Sequence, residues 1–201
     1  MNFNAVALDI PAECNVIAGQ SHFIKTAEDL AEIVASLPGA RFGLAFCEAS
    51  GPCLIRTEGN EPELVAAAVS NAERVAAGHS FFIVLRGIYP IHVLNAIKQC
   101  PEVCRVFCAT ANPVQMIVGQ TDQGRGILGV VDGASPRGLE DDAARGARRE
   151  ELLTVAHLGH GDVEVALAEE VLPPRSDVGD ADDAVPGQRT LDVDVPLQVV
   201  G

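Results

Sequence analysis

Long apolar runs are missing from this chain. No stretch approaches the roughly 18 consecutive apolar residues that a membrane-spanning helix needs, although 48% of the residues are hydrophobic. The opening residues, MNFNAVALDIPAE, lack a basic segment and place Asp9 early, so no signal peptide and a cytoplasmic location are expected. Basic clusters are missing too. With 14 Lys and Arg against 28 Asp and Glu, no patch suits a phosphate backbone, and nucleic acid is not an expected partner. The pattern G-x-x-x-x-G-K-[ST] is absent, which removes the standard ATP phosphate loop. No C-x-x-C pair occurs, so no metal site is expected. The six cysteines are not a secreted disulfide framework, because 201 residues can build a core of their own, and Cys100, Cys104 and Cys108 read as buried free thiols. No cofactor is expected either.

What is present is unevenly divided. Residues 1–139 carry 13 acidic and 9 basic side chains, whereas residues 140–201 carry 15 and 5. All seven Phe and the single Tyr lie in the first part. The expected architecture is therefore α/β: one compact mixed-sheet domain over residues 1–153 with three main helices, then an acidic tail over 154–201. That tail is expected to be disordered, or to be a frameshift product.

The stretch Ile17 to Thr26, IAGQSHFIKT, organises the reading. An apolar run halts at Gly19, and Gln20, Ser21, His22 and Lys25 follow closely. Thr26 has the character of an N-cap for a helix whose apolar face is Leu30, Ile33, Val34 and Leu37. Strand, polar loop and helix start form a natural anion site. The competing reading is a polar connection with one exposed histidine. The run Phe42 to Phe46 leads into Glu48, Ala49, Ser50 and Gly51, where a carboxylate can act as a base or orient a histidine. Asn60, with Glu63 three positions on and Pro62 between them, suggests the cap of a second helix that Gly78 stops. His79 opens the apolar strand Ser80 to Leu85 and reads as a strand-edge histidine. Pro90 is expected to start a third helix. Thr110-Ala111-Asn112-Pro113 links two further strands.

Gly124 to Gly129 spells G-x-G-x-x-G. The dinucleotide fingerprint needs a helix after it, and here the β-rich run Ile127 to Val131 follows. A glycine-rich hairpin presenting Arg125 to an anion fits better.

Taken together, NVIAGQSHFIKTAEDL, RFGLAFCEASG, GNEPELVAAAVSNA, YPIHVLNAIKQCPEVC, ATANPVQ and QGRGILGVVDG resemble the adenosine-specific kinase family. The resemblance runs from about Val6 to about Leu153. It implies a compact α/β protein that binds adenosine or AMP, transfers a phosphoryl group, and assembles as a homo-oligomer, a trimer or a hexamer. It also implies a short basic, aromatic terminus, which the acidic tail replaces here. On the residues, His22, Glu48 and Lys25 are the catalytic candidates. Gly19, Gln20, Ser50, Gly51, Asn112 and Arg125 are the substrate-binding candidates. Two readings stay open: a kinase-like phosphotransferase, and a non-catalytic adenosine- or AMP-binding module. The three strand-end loops carrying His22, Glu48 and Asn112 are expected to converge on one pocket.

Overall fold

The computed structural model of the chain describes residues 2–159, with side chains through residue 150. In order, the elements are β1 (Asn2–Ala7), β2 (Asn15–Ser21), α1 (Thr26–Ala35), β3 (Arg41–Cys47), β4 (Ile55–Gly59), α2 (Pro62–Val75), β5 (Ser80–Arg86), α3 (Leu94–Gln99), β6 (Val103–Thr110), β7 (Val114–Gln120), β8 (Arg125–Asp132) and α4 (Asp142–Gly159). The class is α/β with two sheets. No described helix is long and apolar enough to cross a membrane. The acidic tail expected from the sequence lies, from residue 160 on, outside the described residues.

The larger sheet has the order β4-β3-β5-β2-β6, and the smaller one β1-β7-β8. A mixed sheet was the expectation; every ladder among the described residues runs antiparallel. Short links such as those joining β3 to β4 and β7 to β8 allow only hairpins.

The larger sheet is covered on both faces. Alternation sends Ile17, Phe46, Phe81 and Ile83 toward α1 and α3, and Val16, Ala18, Phe82 and Val84 toward α2 and the smaller sheet. Small residues set how closely α2 approaches. A Cβ on Gly43 of β3 would sit 2.1 Å from the backbone of Leu64 and Val65, so the helix rests directly on the strand. Asn71, fully buried on α2, clamps the segment after β1. Its Oδ1 accepts from the Asp9 amide at 2.6 Å and its Nδ2 donates to the Asp9 carbonyl at 2.8 Å.

Several local expectations give way to tertiary contacts. Thr26 is the first residue of α1 rather than its cap, and Lys25 holds the cap position without a side-chain bond. The Thr26 hydroxyl instead donates within the turn, 2.9 Å from Ser21 Oγ and 2.5 Å from the Phe23 carbonyl. Asn60 does not cap α2. Its side chain accepts from Phe42 N and donates to the Ala40 carbonyl, fastening the sheet edge, while Glu61 takes the cap position. The helix ends in a left-handed residue at Ala76 (φ 50°), before Gly78 is reached. Pro90 opens a single 3-10 turn, Pro90–His92, ahead of the short α3. Of the three cysteines expected to be buried, Cys100 and Cys108 are and Cys104 is exposed; all six cysteines are free thiols.

Candidate functional site

Strand direction decides which loops meet. β2 and β3 both run antiparallel to β5, so they leave the sheet at the same end. His22 follows β2 there, Glu48 follows β3, and β5 enters between them at His79. β6 runs the other way: Val103 lies opposite Ser21 and Thr110 opposite Val16. Asn112 therefore sits at the far end, where its Nδ2 donates to Asp132 Oδ1 at 3.0 Å. The loops after β2 and β3 leave the same end of the sheet, but of His22 and Glu48 only Glu48 lines the groove there, and the Asn112 turn lies at the opposite end.

Gly19 and Gln20 are strand residues, not loop residues. Gly19 is buried, and a Cβ there would stand 2.2 Å from Phe81 Cζ and 2.6 Å from the Arg105 carbonyl. Its lack of a side chain makes room for a core phenylalanine.

His22 is exposed just past β2. Its amide donates to the Glu102 carbonyl at 3.0 Å, and its Nε2 lies 3.2 Å from the Pro101 carbonyl. A carbonyl can only accept. The neutral imidazole therefore carries its proton on Nε2 and leaves a lone pair on Nδ1. Lys25 binds Asp29 one turn into α1, with Nζ 2.6 Å from Oδ1. That bond raises the lysine pKa and holds the aspartate below its ordinary value.

Glu48 meets an arginine, not a histidine. Arg56 lies directly across from Phe46, so both side chains share the α1 face of the sheet. The Arg56 guanidinium bonds Glu28 of α1 and the Ile24 carbonyl, and its Nε stands 3.8 Å from Glu48 Oε1. One arginine thus ties the Glu48 loop to the His22 loop. Ser50 and Gly51 form the exposed turn beyond Glu48, where Gly51 takes φ 60° and the Ser50 carbonyl accepts from the Cys53 amide.

Between the two loops stands His79. It adopts φ 61°, a conformation uncommon for a residue with a Cβ. Its amide donates to the Cys47 carbonyl at 2.8 Å, and its own carbonyl accepts from the Ser21 amide at 2.9 Å. Its ring lies parallel to that of Phe46. The sequence reading has His79 as a strand-edge histidine and assigns Arg56 no role. Arg56 sits in no local pattern, and the left-handed backbone of His79 is foreshadowed only by the preceding Gly78.

Two concavities flank this end. A groove of about 660 Å³ runs between the sheet end and the β7–β8 hairpin, lined by Glu48, Cys53, Ile55, Gly78, Arg125 and Leu128 among others. Arg125 closes it. Its Nη1 donates to the Arg74 and Val75 carbonyls at 3.0 and 3.3 Å, the negative end of the α2 dipole. Gly124 to Gly129 is hairpin and strand, so the dinucleotide reading finds no helix. The second concavity, about 520 Å³, includes Asp29, Cys100 and Glu102, whose ligand-type atoms lie within 4.8 Å of one another. This cluster is internally satisfied. Lys25 neutralises Asp29, and the Cys100 thiol donates to Glu102 at 3.0 Å. Burial first, and then Glu102, push that thiol's pKa to about 11.

The comparisons with known proteins agree with this architecture. The sequence profile described as adenosine specific kinase matches residues 6–158. A crystal structure of the PH1918 protein from Pyrococcus horikoshii OT3 superposes with a TM-score of 0.74 at 40% identity, covering 78% of this chain and 97% of that one. A search of curated proteins finds no match. On the extent of the profile match, and on a solved structure this similar over nearly its whole length, the chain belongs to the adenosine-specific kinase family.

Proposed function

We propose that this protein binds adenosine or AMP at the sheet end carrying His22, Glu48 and Arg125, and transfers a phosphoryl group to adenosine. The observation that carries the reading is the family match; the clustering of His22, Lys25, Glu48 and Arg56 at one end of the larger sheet supports it. A groove of about 660 Å³ is the right size for a nucleoside. Ile55 and Leu128 offer apolar walls for a base and Arg125 a polar contact, while Ser50 and Gly51 sit on the turn between the lining residues Glu48 and Cys53.

Strands spaced about 4.8 Å apart put the ends of β2 and β3, on either side of β5, roughly 10 Å from one another. A bound nucleotide spans that gap, with its base in the groove and its phosphate toward His22. Phosphoryl transfer needs positioned charge more than covalent machinery. Lys25 supplies charge near the start of α1, and the Nδ1 lone pair of His22 can carry the phosphoryl group or take a proton. Gln20 is the next-to-last residue of β2, two before His22. Asn112 and Gly19 stand apart from this arrangement.

The second reading, a binding module without catalysis, has its own observation in favour. Both cations near His22 are already matched, Lys25 by Asp29 and Arg56 by Glu28 and Glu48. The deciding experiment replaces His22 with Asn. Adenosine affinity is measured by calorimetry, and AMP formation is followed with ATP, pyrophosphate or polyphosphate as donor. Kept affinity with lost transfer supports the kinase reading. Undiminished transfer removes His22 from it, and a wild-type protein that binds adenosine but makes no AMP favours the module.

The reading includes a cytoplasmic homo-oligomer, a trimer or a hexamer. Phe3 and Leu128, both exposed, flank Gly119 on the smaller sheet beside the groove that Leu128 also lines, an apolar patch of the kind that self-association covers. Light scattering on the eluted protein tests it.

A further inference from the structure

His79 reads in the sequence as a strand-edge histidine, and its surroundings in the fold set it apart from that reading. Three constraints fix it. Two backbone hydrogen bonds, from its amide to Cys47 and to its carbonyl from Ser21, anchor it to the exits of β3 and β2. The left-handed backbone (φ 61°) fixes the direction in which its side chain leaves the chain. The ring is then laid parallel to Phe46, whose own ring is 1% exposed. Yet among the described residues neither ring nitrogen has a hydrogen-bond partner, and the residue is only partly buried. By contrast, His22 commits Nε2 to Pro101. A rigidly held, half-exposed imidazole with both nitrogens open is arranged for proton transfer rather than for holding a loop closed. The loops that leave this sheet end on either side of it carry Glu48 and His22.

We infer that His79 is the general base that takes the proton from the ribose hydroxyl of adenosine, leaving His22 to carry the phosphoryl group. This rests on the phosphotransferase reading above. The step balances as follows. His22 Nδ1 first bonds the terminal phosphorus of a phosphoanhydride donor as the bridging P–O bond breaks and its electron pair leaves with the donor remnant. The hydroxyl oxygen of adenosine then bonds that phosphorus as the N–P bond breaks and its electron pair returns to Nδ1. The hydroxyl proton passes to an open nitrogen of His79.

The division of labour separates the two histidines experimentally. Asn tolerates the left-handed backbone well, so His79→Asn keeps the fold, and an unchanged melting temperature verifies this. His79→Gly leaves a space over Phe46 that free imidazole can enter. With ATP, pyrophosphate or polyphosphate as donor, His79→Asn is expected to bind adenosine as the wild type does and to form AMP about 100-fold more slowly or worse. It should also accumulate a phosphoryl adduct visible by intact mass, because the first step survives. His22→Asn should form none. Added imidazole should restore AMP formation to His79→Gly. Wild-type rates in His79→Asn, or a failure of imidazole to rescue, overturn the inference while the kinase reading stands. A wild-type protein that makes no AMP from any of these donors overturns both.

Discussion

The rings of His79 and Phe46 lie 3° from parallel with their centroids 6.1 Å apart. That separation is within the range of offset aromatic stacks. Phe46 in turn is fully buried between β4 and β5, opposite Arg56 on one side and Phe81 on the other. The core thus supplies the platform on which a partly exposed imidazole rests. Replacing Phe46 with Leu should cost about 1 to 2 kcal/mol of stability and lower AMP formation further than it lowers adenosine affinity. Chemical denaturation and calorimetry on one sample read both effects. A rate that falls only in step with the loss of folded protein denies the platform any role beyond packing.

Gly19 tests packing against contact with substrate. A methyl group there meets Phe81 Cζ and the Arg105 carbonyl, and the carbonyl is backbone that cannot swing aside. Gly19→Ala should destabilise the protein by about 1 to 3 kcal/mol, read as a lower urea midpoint. In whatever fraction stays folded, adenosine affinity should be unchanged. A stable Gly19→Ala protein with weakened binding reverses the assignment.

Asn71 holds two backbone groups of Asp9 that no strand partner serves. Asn71→Leu preserves approximate volume but leaves those groups without their side-chain partner, at about 1 to 3 kcal/mol. Hydrogen exchange at the Asp9 amide should rise by more than the global destabilisation explains. Unaltered protection at Asp9 would show that water or another group replaces the clamp.

Alkaline stability follows from three thiols. Burial pushes Cys47 up, and Cys100 and Cys108 to about 11. Their unfolded-state pKa values are lower, so above about pH 9 the unfolded chain releases protons that the folded chain keeps. Stability is therefore whole below that pH and falls as pH rises toward 11, by about 1 kcal/mol at pH 10 for a fully shifted thiol. Urea unfolding under reducing conditions from pH 8 to 10.5 measures the slope, and Cys108→Val should make it shallower. An identical slope in that variant assigns the loss to other groups.

The sequence carried the local half of this structure. The apolar stripes of α1 and α2 repeat at the helical period, and β5 is an unbroken apolar run, so their existence and buried faces were readable. The hairpin nature of the Gly124–Gly129 segment was readable too, because a β-rich run follows it. What was not readable depends on residues far apart in the chain. A glycine that ends an apolar run looks like a stop until Phe81 is seen lying over Gly19. Thr26 and Asn60 have cap chemistry, yet each finds a stronger partner outside its helix. Asn112 was grouped with His22 because loops after strands gather at one edge only when the strands are parallel. A carboxylate after a strand suggests a histidine partner for Glu48, whereas the opposite charge it meets is Arg56, which no motif announces.

The ladder between β2 and β5 ends with Gln20 opposite Ser80; just past it the Ser21 amide meets the His79 carbonyl, and His22 follows one residue further on. The separation of the two histidines is a property of register, not of loop length. A register changes only by whole residues, and a slip of one turns every side chain to the opposite face. The reach between the two imidazoles is consequently a stepped quantity. Relatives that act on a larger or smaller acceptor are expected to keep these rungs and alter the rim instead, at Ser50, Gly51 and the hairpin bearing Arg125, where insertions leave the ladder untouched.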